Sequence, residues 1–328
     1  MNEQQDRVAD AVQGHWVYRF LPQWIWPYAQ LARWERPIGW QLLMWPCWWS
    51  AALALSQLPS RNGTLPQLFP RMAIGSGGLE IFVLYLLLFT LGAFVMRGAG
   101  CTYNDLVDQD IDDRIARTRS RPLPSGRVTR RQAKLFLVLQ LVAGLAILLC
   151  FNWTTVLLGC LSLVTVIIYP FMKRVTWWPQ LFLGFAFSWG ALMGWPALLG
   201  SLDPAPLVLY VGCICWVIGY DTIYALQDIE DDALVGVRST ARLFGSNARL
   251  AISALYAAAL TLFALASWLA GANWPAWLAL VLGAMHMAWQ MKSLDLNSPQ
   301  TALKLFKSNN WFGWIVFLGF LAAALMQG

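Results

Sequence analysis

Apolar residues fall along this chain in long, nearly unbroken runs. They do not follow the two-residue alternation of a half-buried strand or the single stripe of a surface helix. About 20 such residues let a helix cross the hydrocarbon core of a bilayer. Nine windows approach that length: 37–58, 79–103, 133–151, 154–171, 179–200, 205–226, 247–269, 274–291 and 311–327. The pattern predicts an all-α, polytopic membrane protein with nine transmembrane helices. Residues 37–328 read as one transmembrane domain, preceded by an N-terminal segment over 1–36. That segment mixes Glu3, Asp6 and Asp10 with few bases, and no cleavable signal peptide is expected in it. The stretch from Trp16 to Trp34 holds Trp24, Trp26 and Tyr28, which suits an aromatic anchor at the membrane interface. The Pro/Gly-rich loop at about 59–78 receives no role.

Composition agrees. Hydrophobic residues make up 58% and charged residues 12%, with a mean hydropathy of +0.52. An ordinary soluble domain carries about 25% charge, so a soluble or disordered chain is excluded. The formal charge of +6 raises nucleic-acid binding, but in a membrane protein surplus bases mark cytoplasmic loops. Twenty of the 23 bases fall on one side if the N-terminus is cytoplasmic, and the opposite loops hold only Arg61 and Arg71. Arg97 lies inside the second window. No metal-ligand spacing links Cys47, Cys101, Cys150, Cys160, Cys213 and Cys215, which read as buried small hydrophobes. His15 and His286 are the only histidines, so no nucleophilic triad is expected.

The acids carry the chemistry. Ten of the 17 lie in two segments, 104–113 and 221–232, each at the predicted cytoplasmic end of an even-numbered span. On a helix, Asn104, Asp108 and Asp112 recur every four residues, and Asp105 lies on much the same face. Asp221, Asp228 and Asp232 are spaced seven and four, and Tyr224 shares their face. Stacked carboxylates repel and are costly near a bilayer unless a cation sits among them. Mg²⁺ prefers oxygen ligands and commonly shares its sites with substrate phosphates. Two such faces therefore suit Mg²⁺ and a diphosphate. Arg97, seven residues before Asn104, points the same way, and an arginine within a span is a functional candidate. Arg117 and Arg121 in the following loop, and Lys173 after Tyr169 at the end of the fourth window, add phosphate-binding groups.

These residues resemble the UbiA-type intramembrane aromatic prenyltransferases. Asn104, Asp105, Asp108 and Asp112 match the family's NDxxDxxxD, and Asp221, Asp228 and Asp232 its second acidic motif. Arg33 to Gly39 resembles the opening RxxxPxG, Arg121 to Gly126 the RPLxSG loop, and Tyr169 and Lys173 the YxxxK. Asn309 and Gly313 match a late NxxxG. The likeness covers roughly residues 28–320 and is strongest to members that prenylate 4-hydroxybenzoate in ubiquinone synthesis.

The resemblance implies nine helices around a central cavity and Mg²⁺ as cofactor. The substrates would be a polyprenyl diphosphate and a small aromatic acid, with no nucleic-acid partner. Asn104, Asp105, Asp108, Asp112, Asp228 and Asp232 become metal ligands, and Arg97, Lys173 and the 117–121 arginines diphosphate-binding groups. Tyr169, Tyr224 and Trp189 are candidates for stabilising an allylic cation. Asp221 is expected to orient the phenol, and Arg33 or Arg36 to hold its carboxylate. The setting is a bacterial cytoplasmic membrane or, as the alternative, the mitochondrial inner membrane. A dihydroxynaphthoate acceptor and, less favoured, an ion-coupled transporter remain as other readings.

Overall fold

The computed structural model describes residues 16–57, 78–113, 118–234 and 236–326, and of Ile111 and 230–232 the backbone alone. Arg117, most of the 59–78 loop and the side chain of Asp232 lie outside the described residues. The regular elements among the described residues are all helices, with no strand.

The helices are α1 (Trp16–Phe20), α2 (Trp26–Leu31), α3 (Ile38–Leu55), α4 (Gly78–Asp112), α5 (Arg130–Leu148), α6 (Trp153–Val175), α7 (Pro179–Ser188), α8 (Gly190–Leu199), α9 (Pro204–Ala225), α10 (Ile229–Leu234), α11 (Thr240–Phe244), α12 (Ala248–Leu269), α13 (Trp274–Ser293) and α14 (Pro299–Leu325). Among the described residues, each of the nine apolar windows falls largely on helix, the fifth on α7 and α8. Seven helical stretches among the described residues are long and apolar enough to cross a membrane. The other two windows, α3 and α13, fall short of that measure. α3 carries Trp40, Trp45, Trp48 and Trp49, and α13 adds His286 and Gln290 to its tryptophans. Such amphipathic or polar side chains lower hydropathy without preventing a helix.

The chain divides into two compact units. The first comprises residues 1–41 and 91–147. In it α1 and α2 bury Val17, Trp26 and Ala29 with Tyr18 packed edge-on to Trp26. Phe20 and Trp24 instead leave 70% and 72% of their surface exposed. The end of α4 and the start of α5 close over Leu31, Leu106, Leu123, Val128 and Ala133. Deeper along the same two helices, the Thr102 hydroxyl donates to Gln140 Oε1 at 3.1 Å.

The second unit comprises residues 42–90 and 148–328. More than half of α9 is buried, and it packs chiefly on α12 and α7. Tryptophans fill the interior, and their N–H groups find acceptors: Trp49 Nε1 donates to the Gly313 carbonyl and Trp216 Nε1 to Asn309 Oδ1, each at 2.9 Å. Lipid tails supply no hydrophobic drive between helices, so small residues must permit close approach. A Cβ on Gly194 would lie 2.2 Å from the Cys47 carbonyl oxygen, which is why α8 and α3 meet at glycine. Asn152 starts α6 by accepting from Thr155 N–H at 3.0 Å and donates to the Pro196 carbonyl at 2.6 Å.

Candidate functional site

The first acidic motif ends the uninterrupted 35-residue helix α4, so its predicted phasing is realised. Asp105, Asp108 and Asp112 are all buried, at 1%, 0% and 5% exposure, while Asn104 is half-buried. Buried carboxylates demand compensation. Arg33 Nη2 donates to both oxygens of Asp105, at 2.8 and 3.0 Å. Arg121 Nη1 donates to Asp112 Oδ2 at 2.7 Å and lies 3.6 Å from Asp105 Oδ1. Asp105 and Arg33, expected on metal and on substrate respectively, are thus engaged with each other in this structure.

The local chain is shaped to make that pair. Arg33 adopts φ of 57°, the left-handed region that costs a non-glycine residue about 1–2 kcal/mol. Its other terminal nitrogen donates to the Gln30 carbonyl at 2.5 Å, closing the turn after α2. Burial alone would lower the Arg33 pKa; Asp105, with smaller contributions from Cys101 and Glu35, more than reverses this and holds it above the ordinary value. Burial pushes Asp112 the opposite way from its arginine: desolvation raises its pKa and Arg121 only partly opposes.

The loop after α4 is tied to the motif it follows. The Thr118 hydroxyl donates to the Asp112 carbonyl at 2.7 Å, and Arg119 Nε to the Asp113 carbonyl at 3.1 Å. Arg127 Nη2 donates to the Ser120 carbonyl at 2.6 Å. Arg97 is half-buried, and a Cβ on Gly39 would lie 2.6 Å from its Nε, so the first turn of α3 leaves space for this guanidinium. Arg36 Nε approaches Glu35, a 1%-exposed carboxylate, at 3.8 Å.

The second motif differs from its expected geometry. Its residues are not on one continuous α-helix: α9 ends at Ala225, Leu226–Asp228 form a 3-10 turn, and α10 begins at Ile229. Gln227 Nε2 donates to the Tyr224 carbonyl at 2.9 Å, the acceptor Asp228 N–H would use in an unbroken α-helix. Three residues at 3-10 pitch rotate the face by about 60° relative to α-helix. Asp221, Tyr224 and Asp228 are half-buried, and the Tyr224 ring meets Phe306 at 4.6 Å. Phe306 also packs on Tyr220 at 5.7 Å. The sequence reading missed it, since one Phe on α14 carries no distinguishing signal.

Tyr169 and Lys173 lie four residues apart on α6, both half-buried, and share a face. The segment after the second motif fastens to that helix end. Arg238 N–H donates to the Lys173 carbonyl at 3.2 Å, and its guanidinium to the Val175 carbonyl at 2.7 Å. Thr240 joins Thr222 of α9 by a 2.6 Å hydroxyl contact, and its N–H donates to Gln180 Oε1 at 3.0 Å. Gln180 was also missed, although a Gln within an apolar run is a signal. In the second unit, then, the end of α6 that carries Lys173 is bonded to the chain following Asp228.

Among the described residues, no three histidine, cysteine or acidic side chains come together as a ligand set. The donors present are nonetheless hard carboxylate oxygens, one of them, on Asp112, bonded to the Arg121 guanidinium. That suits Mg²⁺, which takes one or two protein carboxylates and completes its shell with water and phosphate oxygen.

Residues 43–316 match the UbiA prenyltransferase family. The chain is 46% identical over 302 residues to the Drosophila pseudoobscura pseudoobscura protein named "4-hydroxybenzoate polyprenyltransferase, mitochondrial", covering 92% of this chain and 71% of the relative. It is 44% identical over 313 residues to the Arabidopsis thaliana protein of the same name, covering 95% and 72%. A UbiA homolog from Aeropyrum pernix K1 aligns with a TM-score of 0.67 and 26% identity, over 86% of this chain and 97% of its own. A UbiA homolog from Archaeoglobus fulgidus, solved with GPP and Mg²⁺, shares the fold at a TM-score of 0.62 and 21% identity, over 92% and 99%.

Proposed function

The chain belongs to the UbiA prenyltransferase family, and we propose that it transfers a polyprenyl group from an allylic polyprenyl diphosphate to 4-hydroxybenzoate, a membrane step of ubiquinone biosynthesis. The observation that carries this reading is the 46% identity to a protein named for that reaction, extending over 92% of the chain. The residues supply a chemical rationale.

Asn104, Asp108 and Asp112 in the first motif and Asp228 and Asp232 in the second are the proposed Mg²⁺ ligands. The A. fulgidus homolog solved with Mg²⁺ supports divalent-metal use. When bound, Mg²⁺ neutralises charge building on the departing diphosphate. Arg97, Lys173, Arg117 and Arg121 bind the same oxygens, and guanidinium forks suit them. The C–O bond to the diphosphate breaks, and pyrophosphate leaves with the electron pair. The allylic cation that remains is stabilised by aromatic faces, with Tyr169 and Tyr224 as the proposed contacts. Asp221 orients the phenol hydroxyl of the acceptor, whose ortho carbon forms the new C–C bond and then releases its proton. Arg36 is the proposed anchor of the acceptor carboxylate. Arg33, bonded to Asp105, takes a positioning role.

The proposed residence is an inner membrane, bacterial cytoplasmic or mitochondrial. Relatives whose names include "mitochondrial" support the second.

The test is release of pyrophosphate and formation of prenylated product from a polyprenyl diphosphate plus 4-hydroxybenzoate, with and without EDTA. Product should require Mg²⁺. Asp108→Ala and Asp228→Ala should each remove it by at least about a thousandfold while the protein remains in the membrane, the scale expected when charge stabilisation of the leaving group is lost. Failure to prenylate 4-hydroxybenzoate under any metal condition would overturn the reading.

A further inference from the structure

Arg121 sits between two carboxylates that differ in purpose. Asp105 already holds Arg33 through both its oxygens, whereas Asp112 takes its only described charge-assisted hydrogen bond from Arg121, at 2.7 Å. Arg33 and Arg121 thus divide between Asp105 and Asp112, with Arg121 the described cation on Asp112. A divalent cation reaching Asp112 makes the Arg121 contact redundant. At equal dielectric, Mg²⁺ at about 2.1 Å attracts a carboxylate roughly 2.5 times as strongly as a single charge at 2.7 Å. The guanidinium is thereby displaced from its best partner. It is not lost from the region, because Asp105 Oδ1 stands 3.6 Å from the same nitrogen. The backbone around it is tethered independently, by Thr118 to the Asp112 carbonyl and by Val128 N–H to the Pro122 carbonyl at 3.0 Å.

We propose that Arg121 is an exchanging counter-ion: it neutralises Asp112 while no metal is bound, and on metal loading it is released from Asp112, pivots about Asp105 and binds the diphosphate. This deepens the prenyl-transfer reading and rests on it. Metal binding and diphosphate binding are then coupled through one side chain. Metal alone must displace a cation, and metal with diphosphate gives that cation a new anion. Asp105 is the positioning residue, since it keeps the released guanidinium beside the motif without ligating metal itself. The buried Arg33–Asp105 pair leaves Asp105 fixed throughout the exchange.

The experiment measures Mn²⁺ affinity of the full chain in lipid nanodiscs by electron paramagnetic resonance, with and without inorganic pyrophosphate. Arg121→Gln removes the competing cation. It should bind Mn²⁺ alone at least about threefold more tightly than wild type. Pyrophosphate should tighten Mn²⁺ binding in wild type about 10- to 100-fold more than in the variant, the range for losing one charge-assisted hydrogen bond. An arginine that merely braced the loop would, when removed, weaken Mn²⁺ binding in both conditions, and that result overturns the proposal. So does an unchanged affinity for Mn²⁺ alone. Wild-type protein supplies a second measurement independent of any variant's folding. Amide exchange over residues 118–128 should rise with Mn²⁺ alone and fall when pyrophosphate is added; a fall with Mn²⁺ alone overturns the exchange. Wild type that binds no Mn²⁺ under either condition refutes the metal-dependent reading of the site, an outcome distinct from failure of the exchange.

Discussion

Replacing Asp105 with alanine isolates the energetics of the first motif. Asp105 is 1% exposed and the Arg33 side chain 11%, so neither partner is appreciably screened by water. Removing one member of a buried pair leaves the other charge stranded, which costs about 3–5 kcal/mol, whereas replacing both by apolar residues of similar volume is near neutral. Asp105→Ala should therefore destabilise the protein by about 3–5 kcal/mol, roughly two to four decades in the unfolding constant. Arg33→Met with Asp105→Leu should recover most of that loss. The Arg33 backbone provides an internal control. At φ of 57°, Arg33→Gly relieves the left-handed strain that Arg33→Ala retains, so the glycine variant should be about 1 kcal/mol the more stable of the two. The assay is denaturant unfolding in micelles followed by tryptophan fluorescence, with apparent midpoints compared at a fixed rate. A loss below about 1 kcal/mol for Asp105→Ala is the value of an exposed pair and would refute the argument. A double variant as unstable as the sum of its singles would do the same.

Three further predictions concern packing and positioning. Asn152→Ala removes the cap of α6 and the donor to the Pro196 carbonyl; it should cost about 1–3 kcal/mol in the same unfolding assay. Gly194→Val forces side-chain atoms onto the Cys47 carbonyl, where even a Cβ would stand at 2.2 Å, and should reduce the yield of folded protein by size-exclusion chromatography. Serine at the exposed Cys160 serves as the unaffected control in that measurement. Gly39→Ala drives a methyl against Arg97 Nε, so initial-rate kinetics should give a diphosphate KM raised about tenfold with the aromatic-acid KM unchanged.

Helical periodicity holds where one helix persists. Asn104, Asp108 and Asp112 were placed together from their spacing, and α4 continues through all three. Between Asp221 and Asp228 the α-helix is interrupted, where an amide side chain three residues beyond Tyr224 bonds the carbonyl that α-helical geometry would assign to the backbone. Nothing in hydropathy distinguishes Gln227 as a donor to its own helix. The span count met a similar limit: tryptophan-rich α3 forms a helix while falling short in hydropathy, since the indole is apolar in its body and polar at its nitrogen.

The sequence by itself determined the membrane class, the all-α architecture and the identity of the acidic and basic groups, because these depend on residue type and local spacing. The tertiary structure decided which charges neutralise which. Arg33 and Asp105 are 72 residues apart in the chain and 2.8 Å apart in space, and Arg121 faces two carboxylates at once. In a buried setting a carboxylate's behaviour follows from the cation nearest to it, and that cation arrives from a segment no local pattern connects to it. Spacing nominated Asp105 and Asp112 alike; only the fold separated the one that anchors arginines from the one whose arginine can be exchanged.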